Sequence, residues 1–499
     1  MSSHTGRTVA KNAGVLLASQ LITWALALLL TVFLPRYLGA AAVGKFHFAN
    51  SVWAIVAIVV TFGMDTLLTK EIARDPAKAG RLLSLTMILR VLLHALGYGA
   101  LYLYLYLLGY PAETRIVVYI IGVGNLFWQL ISASQAALQG LERMEYISLG
   151  AVAGKVVNTA LSLLLLFLGY GVYAIAAVSV VAALVNLLLQ LFFLRRLTTL
   201  RPYLSRIEAQ RMLRAGFPYL MAGIFLVIYT QVDIVIISLL VNDTVVGWYG
   251  AADQLFGTLL FIPSVFITAV FPALSRLFAY QPDALPRLMG KSFDFLLLLS
   301  LPVGLGLFVV GDPLAVLLFG AEFAPSGPIL ALFGIVLILT YQNMLLGQFL
   351  ISTDRQTAWT LVMAGAALTT LPLDLLLIPW CQAALGNGGI GGAITFIITE
   401  LGILFAGLRL LPKGYLGRSN VWVATRALLV GLAMVGVVWW LRGLFIAIPV
   451  MVGVIVYVGL VLLLRIVPRE DLALFWSLTQ GALARLRPRP VEAAGGGEP

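Results

Sequence analysis

About fourteen runs of roughly twenty or more apolar residues, separated by short charged stretches, constrain this chain more than any other feature. A helix needs roughly 20 apolar residues to cross ~30 Å of hydrocarbon. Hydrophobic residues make up 61% of the 499 and charged residues 11%, with a mean hydropathy of +1.02. That leaves too little polar surface to enclose a soluble core of this size. The runs are also too long and continuous for barrel strands, which alternate over ~10 residues. The expected fold is all-α: a polytopic membrane protein of about 14 transmembrane helices.

The expected spans cover about 12–35, 43–68, 83–108, 114–139, 146–169 and 171–194 in the first half. A second set covers about 214–241, 246–275, 291–319, 326–350, 356–380 and 388–410, followed by 421–441 and 444–466. Pro218, Pro263, Pro302 and Pro372 fall inside spans, where neighbouring helices have to satisfy the backbone groups that proline frees. The apolar run ahead of Ala40 is about 24 residues, against ~7–15 for the core of a signal peptide. It reads as a retained helix.

The cations orient the map. With the N-terminus inside, 26 of the 32 Lys and Arg residues fall on the inner side and four (Arg36, Lys45, Arg115 and Arg442) on the outer, with Arg90 and Lys155 within spans. Such a bias predicts both termini in the cytoplasm. The net charge of +11 is spread over eight short segments. That distribution suits an anionic membrane surface, at ~1 kcal/mol per cation, and argues against nucleic acid as a partner. The single cysteine, Cys381, cannot form an internal disulfide, and His4, His47 and His94 lack metal-ligand spacing. There is no P-loop, so the chain does not hydrolyse ATP. No cofactor is expected beyond a coupling H+ or Na+.

The longest basic connection, Arg195 to Arg214, divides the first twelve spans into two sets of six. Val43-Gly44-Lys45-Phe46 with Ala49-Asn50 echoes Val246-Gly247-Trp248-Tyr249 with Ala252-Asp253, at a constant offset of 203; Gly171-Val172 likewise echoes Gly389-Ile390. Two lobes entering from the same side imply a pseudo-two-fold axis along the membrane normal. The expected organisation is an N-terminal lobe over 1–200, a C-terminal lobe over 201–412 and an extra helix pair over 413–468. A cytoplasmic interfacial helix and disordered tail are expected over 469–499, and Ser205–Arg214 reads as an interfacial basic amphipathic linker.

The strongest local string is Gly216-Phe217-Pro218, then Gln231-Val232-Asp233, Val246-Gly247-Trp248-Tyr249-Gly250-Ala251-Ala252 and Phe271-Pro272-Ala273-Leu274-Ser275. Arg36-Tyr37-Leu38-Gly39, Phe62-Gly63-Met64-Asp65, Gln139-Gly140-Leu141-Glu142-Arg143 and Gly389-Ile390-Gly391-Gly392-Ala393 stand at compatible places. Together they resemble the polysaccharide flippases of the multidrug/oligosaccharidyl-lipid/polysaccharide superfamily, over essentially the whole chain. The resemblance implies alternating access through a central cavity in a prokaryotic cytoplasmic membrane. It implies an undecaprenyl-diphosphate-linked saccharide as cargo for cell-surface polysaccharide biosynthesis. Polysaccharide polymerases or glycosyltransferases of the same pathway would be its protein partners. Drug-exporting relatives usually stop at twelve spans.

Such a headgroup needs cations for its phosphates, and intramembrane ionisable groups are the place to look for them. Lys155 and Arg90 are the candidates within spans, with His94 one turn beyond Arg90; Lys45 and Arg36 are candidates at the outer mouth. Snorkelling or local pairing is the competing reading for Lys155 and Arg90, and topology-setting or loop anchoring for Lys45 and Arg36. Asp233 and Asp253 are the leading coupling or gating candidates, followed by Asp374 and Glu400; structural hydrogen bonding competes about evenly. Trp53, Trp128 and Tyr229 can stack on sugars, although packing is the default role for such residues. Two further readings stay open. One is an H+- or Na+-coupled multidrug extruder, disfavoured by the lack of any acidic residue between Asn12 and Pro35. The other is a membrane-embedded polymerase or ligase, disfavoured by outer loops only a few residues long, such as 241–246 and 320–326.

Overall fold

A computed structural model describes residues 3–199 and 202–466, with side chains from Ala18 onward. The described residues form sixteen α-helices and three short 3-10 turns, with no strand. In chain order they are α1 (Ser3–Leu38), α2 (Ala40–Thr61), α3 (Met64–Arg74), α4 (Ala79–Leu107), α5 (Ala112–Gly140), α6 (Met144–Phe167), α7 (Val172–Leu197) and α8 (Arg206–Leu240). The chain continues with α9 (Asp243–Leu259), α10 (Phe261–Tyr280), α11 (Leu285–Phe319), α12 (Ser326–Ser352), α13 (Gln356–Leu385), α14 (Gly388–Leu410), α15 (Arg418–Leu441) and α16 (Ala447–Leu463). Thirteen of the segments are long and apolar enough to cross a membrane, and α16 is a shorter apolar helix. The interfacial helix and tail expected over 469–499 lie outside the described residues.

Three expected boundaries are corrected. The span read as 43–68 ends at Thr61: Phe62 (φ 48°) and Gly63 (φ 66°) both turn left-handed, and α3 starts anew at Met64. A side chain on Gly63 would lie 2.5 Å from Tyr219 Cβ and 2.7 Å from the Gly216 carbonyl, so the break is locked against α8 by a contact that only glycine permits. The span read as 246–275 is divided at Leu260 into α9 and α10. Pro263 has no N–H to offer the Leu259 carbonyl four residues back, and the Tyr341 hydroxyl donates to that carbonyl instead, at 2.8 Å. Tyr457 does the same for the Leu298 carbonyl opposite Pro302, at 3.0 Å. Finally, the basic segment read as a separate linker helix is the first part of α8, capped where the Glu208 N–H donates to Ser205 Oγ.

The two halves correspond element by element. α2–α3 and α9–α10 are both broken spans at the offset of 203, and α2 packs along α9. A Cβ on Gly44 would fall 1.7 Å from the Asp243 carbonyl oxygen, and one on Gly247 would fall 2.0 Å from that of Ala40. Ala40 and Asp243 are themselves 203 apart, so the two contacts exchange under the repeat, as a two-fold seam requires. Gly250 packs against the imidazole of His47, again its own repeat partner. The largest apolar cluster runs across this seam, from Val43, Phe48 and Trp53 to Tyr249, Phe256 and Phe333. α15 and α16 lie against α11 through Leu301, Val430, Met434 and Tyr457.

Gly44→Val should force α2 and α9 apart, because the obstruction is backbone that cannot rotate away. A loss of about 1–3 kcal/mol is expected, read as a lower unfolding midpoint in detergent. Gly257→Ala, on the same helix α9 but with open space around it, should be neutral in the same assay.

Candidate functional site

Hydrocarbon surroundings make every enclosed polar group informative, because each has to find a partner or a ligand. In the C-terminal lobe, α8, α9, α12, α13 and α14 converge on four carboxylates.

Glu400 on α14 is fully partnered. Tyr229 on α8 donates its hydroxyl to Oε1 at 2.5 Å and Thr340 on α12 donates to the same oxygen at 2.8 Å. Asn343 Nδ2 donates to Oε2, and also to the Glu400 backbone carbonyl at 2.9 Å. Three donors from two neighbouring helices make Glu400 a tie between α8, α12 and α14.

Asp233 and Asp374 are arranged differently. Asp233 on α8 accepts from the Tyr249 hydroxyl of α9 at 2.5 Å through Oδ2. Its other oxygen faces Asp374 on α13, close enough for a hydrogen bond were a proton present. Among the described residues Asp233 Oδ1 and both oxygens of Asp374, whose side chain is wholly enclosed, lack a well-formed hydrogen bond; the Thr395 hydroxyl on α14, buried beside Asp374, is the neighbouring donor. Two carboxylates at hydrogen-bonding distance inside apolar helices are tolerable only with a cation between them, whether a proton or a metal ion. Among the described residues no group of three or more His, Cys, Asp and Glu could hold a metal. Asp253 on α9 is half-buried nearby, with no hydrogen bond or ion pair among the described residues; its repeat partner Asn50 is exposed and donates to the Phe46 carbonyl at 2.7 Å.

The N-terminal lobe encloses a neutralised pair instead. Arg90 on α4 is fully buried and donates to Asp65 Oδ1 and to the Gln129 carbonyl, while Ser132 Oγ donates to Asp65 Oδ2 at 2.6 Å. Arg90 is thereby committed to a local ion pair and is not held open for a phosphate. His94 stacks on Trp53 with ring centroids 4.8 Å apart, and Trp53 Nε1 donates to the Val118 carbonyl at 2.7 Å. The Trp53 and His94 rings are packing elements, and Trp128 is 52% exposed. Lys155 on α6 is partly buried and has no hydrogen bond or ion pair among the described residues. Lys45 pairs with Glu113 on α5. Arg36 donates to the carbonyls of Leu317 and Leu318 at the end of α11.

The structure thus joins Asp233 and Asp374, ranked apart in the sequence, and separates Glu400 from them as a tie. Tyr249 and Asp65 stand inside the sequence motifs with nothing to mark them as partners of buried charges, and Thr340, Asn343 and Thr395 are single polar residues in apolar runs. Asn343 and its neighbour Gln342, amides in the middle of the most deeply buried span, were the available signal.

Comparison with known proteins follows this geometry. The family described as polysaccharide biosynthesis protein matches residues 9–278. The chain is 22% identical over 280 residues to a protein named putative O-antigen transporter from Shigella dysenteriae, a match that covers 55% of this chain and 68% of that one. It is 27% identical over 206 residues to the probable lipid II flippase MurJ of Vibrio cholerae, covering 39% of this chain and 38% of the relative. Among solved structures, lipid II flippase MurJ in an inward closed conformation superposes with a TM-score of 0.72 at 16% identity, over 90% of this chain and 98% of that one. An inward-facing multidrug resistance MATE family transporter of the MOP superfamily gives 0.63 at 17% identity, over 78% and 94%. These identities speak to a shared fold.

Glu400→Ala leaves the Tyr229, Thr340 and Asn343 donors unpaired among buried helices. It should cost about 2 kcal/mol or more of stability, and Glu400→Gln should cost less. Unfolding midpoints in detergent compare the two.

Proposed function

The chain belongs to the polysaccharide biosynthesis protein family, and from that membership we propose that it is a flippase moving an undecaprenyl-diphosphate-linked saccharide from the inner to the outer leaflet by alternating access. It is a multi-pass membrane transporter and not an enzyme. We place it in a prokaryotic cytoplasmic membrane with both termini inside. The end of the bundle holding Arg36, Lys45 and the α2–α9 glycine seam is then the outer end, and the lobes are closed there. The family match over 54% of the chain, residues 9–278 of 499, is the observation that carries this reading.

The physical chemistry is consistent with it. A diphosphate headgroup needs a cation on its path, and Lys155 is the in-span cation without a partner among the described residues. Arg90 holds Asp65, so its part is to keep the N-terminal lobe rigid. Movement against a gradient needs an energy source. The Asp233–Asp374 pair, two acid groups side by side with no ion pair among the described residues, would give H+ or Na+ a place between two helices of the C-terminal lobe. Filling or emptying it would change the repulsion between α8 and α13, and so bias the lobe's shape. Asp253, half-buried and unpartnered on the seam helix α9, is the next acidic group along this path. The multidrug-extruder reading draws on the same pair and on the shared fold with a MATE transporter.

Translocation of a fluorescent undecaprenyl-diphosphate saccharide between the leaflets of proteoliposomes separates the two. The flippase reading expects protein-dependent translocation that falls about tenfold or more in Lys155→Ala, the worth of a charge-assisted phosphate contact, and is retained in Lys155→Arg. Export of lipophilic cations under an imposed H+ or Na+ gradient, with no saccharide movement, would establish the extruder instead.

A further inference from the structure

At the outer end the two lobes hold one another by their helix termini. Arg36, in the last turn of α1, donates through Nε to the Leu318 carbonyl at 2.7 Å and through Nη2 to the Leu317 carbonyl. Those are among the final carbonyls of α11, which have no acceptor role left within the helix. In the opposite direction Glu322, in the turn after α11, accepts from the Ala40 N–H at 2.9 Å through Oε1. Ala40 opens α2, and α2 has no side-chain cap of its own, because its N-cap residue is Gly39. Each lobe therefore supplies the charge that the other's helix end lacks: a cation on a C-terminus and a carboxylate on an N-terminus, both signs matched to the helix dipoles.

Glu322 is held to its own lobe. Trp248 Nε1 on α9 donates to the Glu322 carbonyl at 3.0 Å, and Ser326 Oγ on α12 donates to the Trp248 carbonyl at 2.8 Å. A further crossing contact runs from Thr114 Oγ on α5 to Asp243 Oδ2, at 3.0 Å. The glycine seam beneath makes this arrangement two-state: with Gly44 and Gly247 seated on the opposing backbone, the helices are either in register and touching or apart.

We propose that Arg36 and Glu322 form an outer latch, exchanged between the lobes, which has to break before the outer end can open. That opening is the step at which a flippase would release its cargo, so the assigned purpose rests on the reading above while the latch itself rests on geometry. Arg36 and Lys45, both at the outer mouth, are engaged while the seam is closed. Breaking the latch frees the Arg36 guanidinium where a departing headgroup would pass.

Double electron–electron resonance in nanodiscs reads the latch directly, with spin labels at Ala112→Cys and Leu385→Cys in a Cys381→Ser background. Ala112 opens α5 in one lobe and Leu385 closes α13 in the other, both at the outer end and both exposed. Glu322→Ala and Arg36→Ala should each raise the ratio of long- to short-distance populations by roughly fivefold, the size of one cap, and the double variant should exceed either. Glu322→Gln, which keeps an acceptor oxygen without the charge, should fall between wild type and Glu322→Ala. Its unfolding midpoint should match wild type, so a shift in its distances reports the latch and not misfolding. Distances unchanged from wild type in both alanine variants and in their combination would overturn the proposal. No cargo is present, so failure of the flippase reading would leave this result untouched.

Discussion

Hydrocarbon supplies no hydrogen bonds, and most of the described interior can be understood as the bundle supplying its own. Pro263 and Pro302 free carbonyls that Tyr341 and Tyr457 take up from neighbouring helices. Arg90 would be prohibitively unstable as a lone buried cation; Asp65, Ser132 and the Gln129 carbonyl enclose it. Glu400 is met by three donors. Asp233 and Asp374 differ in kind, because two carboxyl groups meet there with no ion pair to either among the described residues. Other buried polar atoms, Arg90 Nε and the Gln342 amide among them, also lack a partner among the described residues, but Asp233 and Asp374 are two acid groups set side by side. A shared proton or Na+ is the proposed occupant of that place.

The lobes share a frame and differ in chemistry. At the seam the repeat is nearly literal, with Gly44 on Asp243, Gly247 on Ala40 and His47 on Gly250. Away from it the N-terminal lobe holds a self-neutralised Arg90–Asp65 pair, and the C-terminal lobe holds carboxylates with no cation of their own. On the proposed function, an ion bound at Asp233 and Asp374 would act on α8, α13 and α14 while the other lobe serves as the reference. The seam, where α2 and α9 touch through Gly44 and Gly247, is where the two lobes meet.

The spans were legible in the sequence because hydropathy over twenty residues averages out local detail. The repeat was legible because seam glycines cannot drift when a Cβ would strike backbone. The broken spans were not. The apolar run through Phe62 and Leu260 is unbroken, and what breaks it is a left-handed pair packed on Gly216 in one lobe and a proline whose freed carbonyl is claimed from α12 in the other. Asp233 and Asp253 were visible as carboxylates in apolar runs. The partnership of Asp233 with Asp374 was not, since 141 positions separate them and only the packing of α13 on α8 unites them. The acidic residues of the short outer loops, Asp243 and Glu322, were passed over for the same reason: their partners lie in the other lobe.

The cation at the Asp233–Asp374 pair is the claim on which the directional account stands. Equilibrium uptake of protons and of radioactive Na+ by the purified protein, set beside the Asp374→Asn variant, measures it most directly. The account predicts that the wild type takes up a cation of one kind or the other, and that the variant loses that uptake while remaining folded. Identical uptake by the two proteins would contradict it.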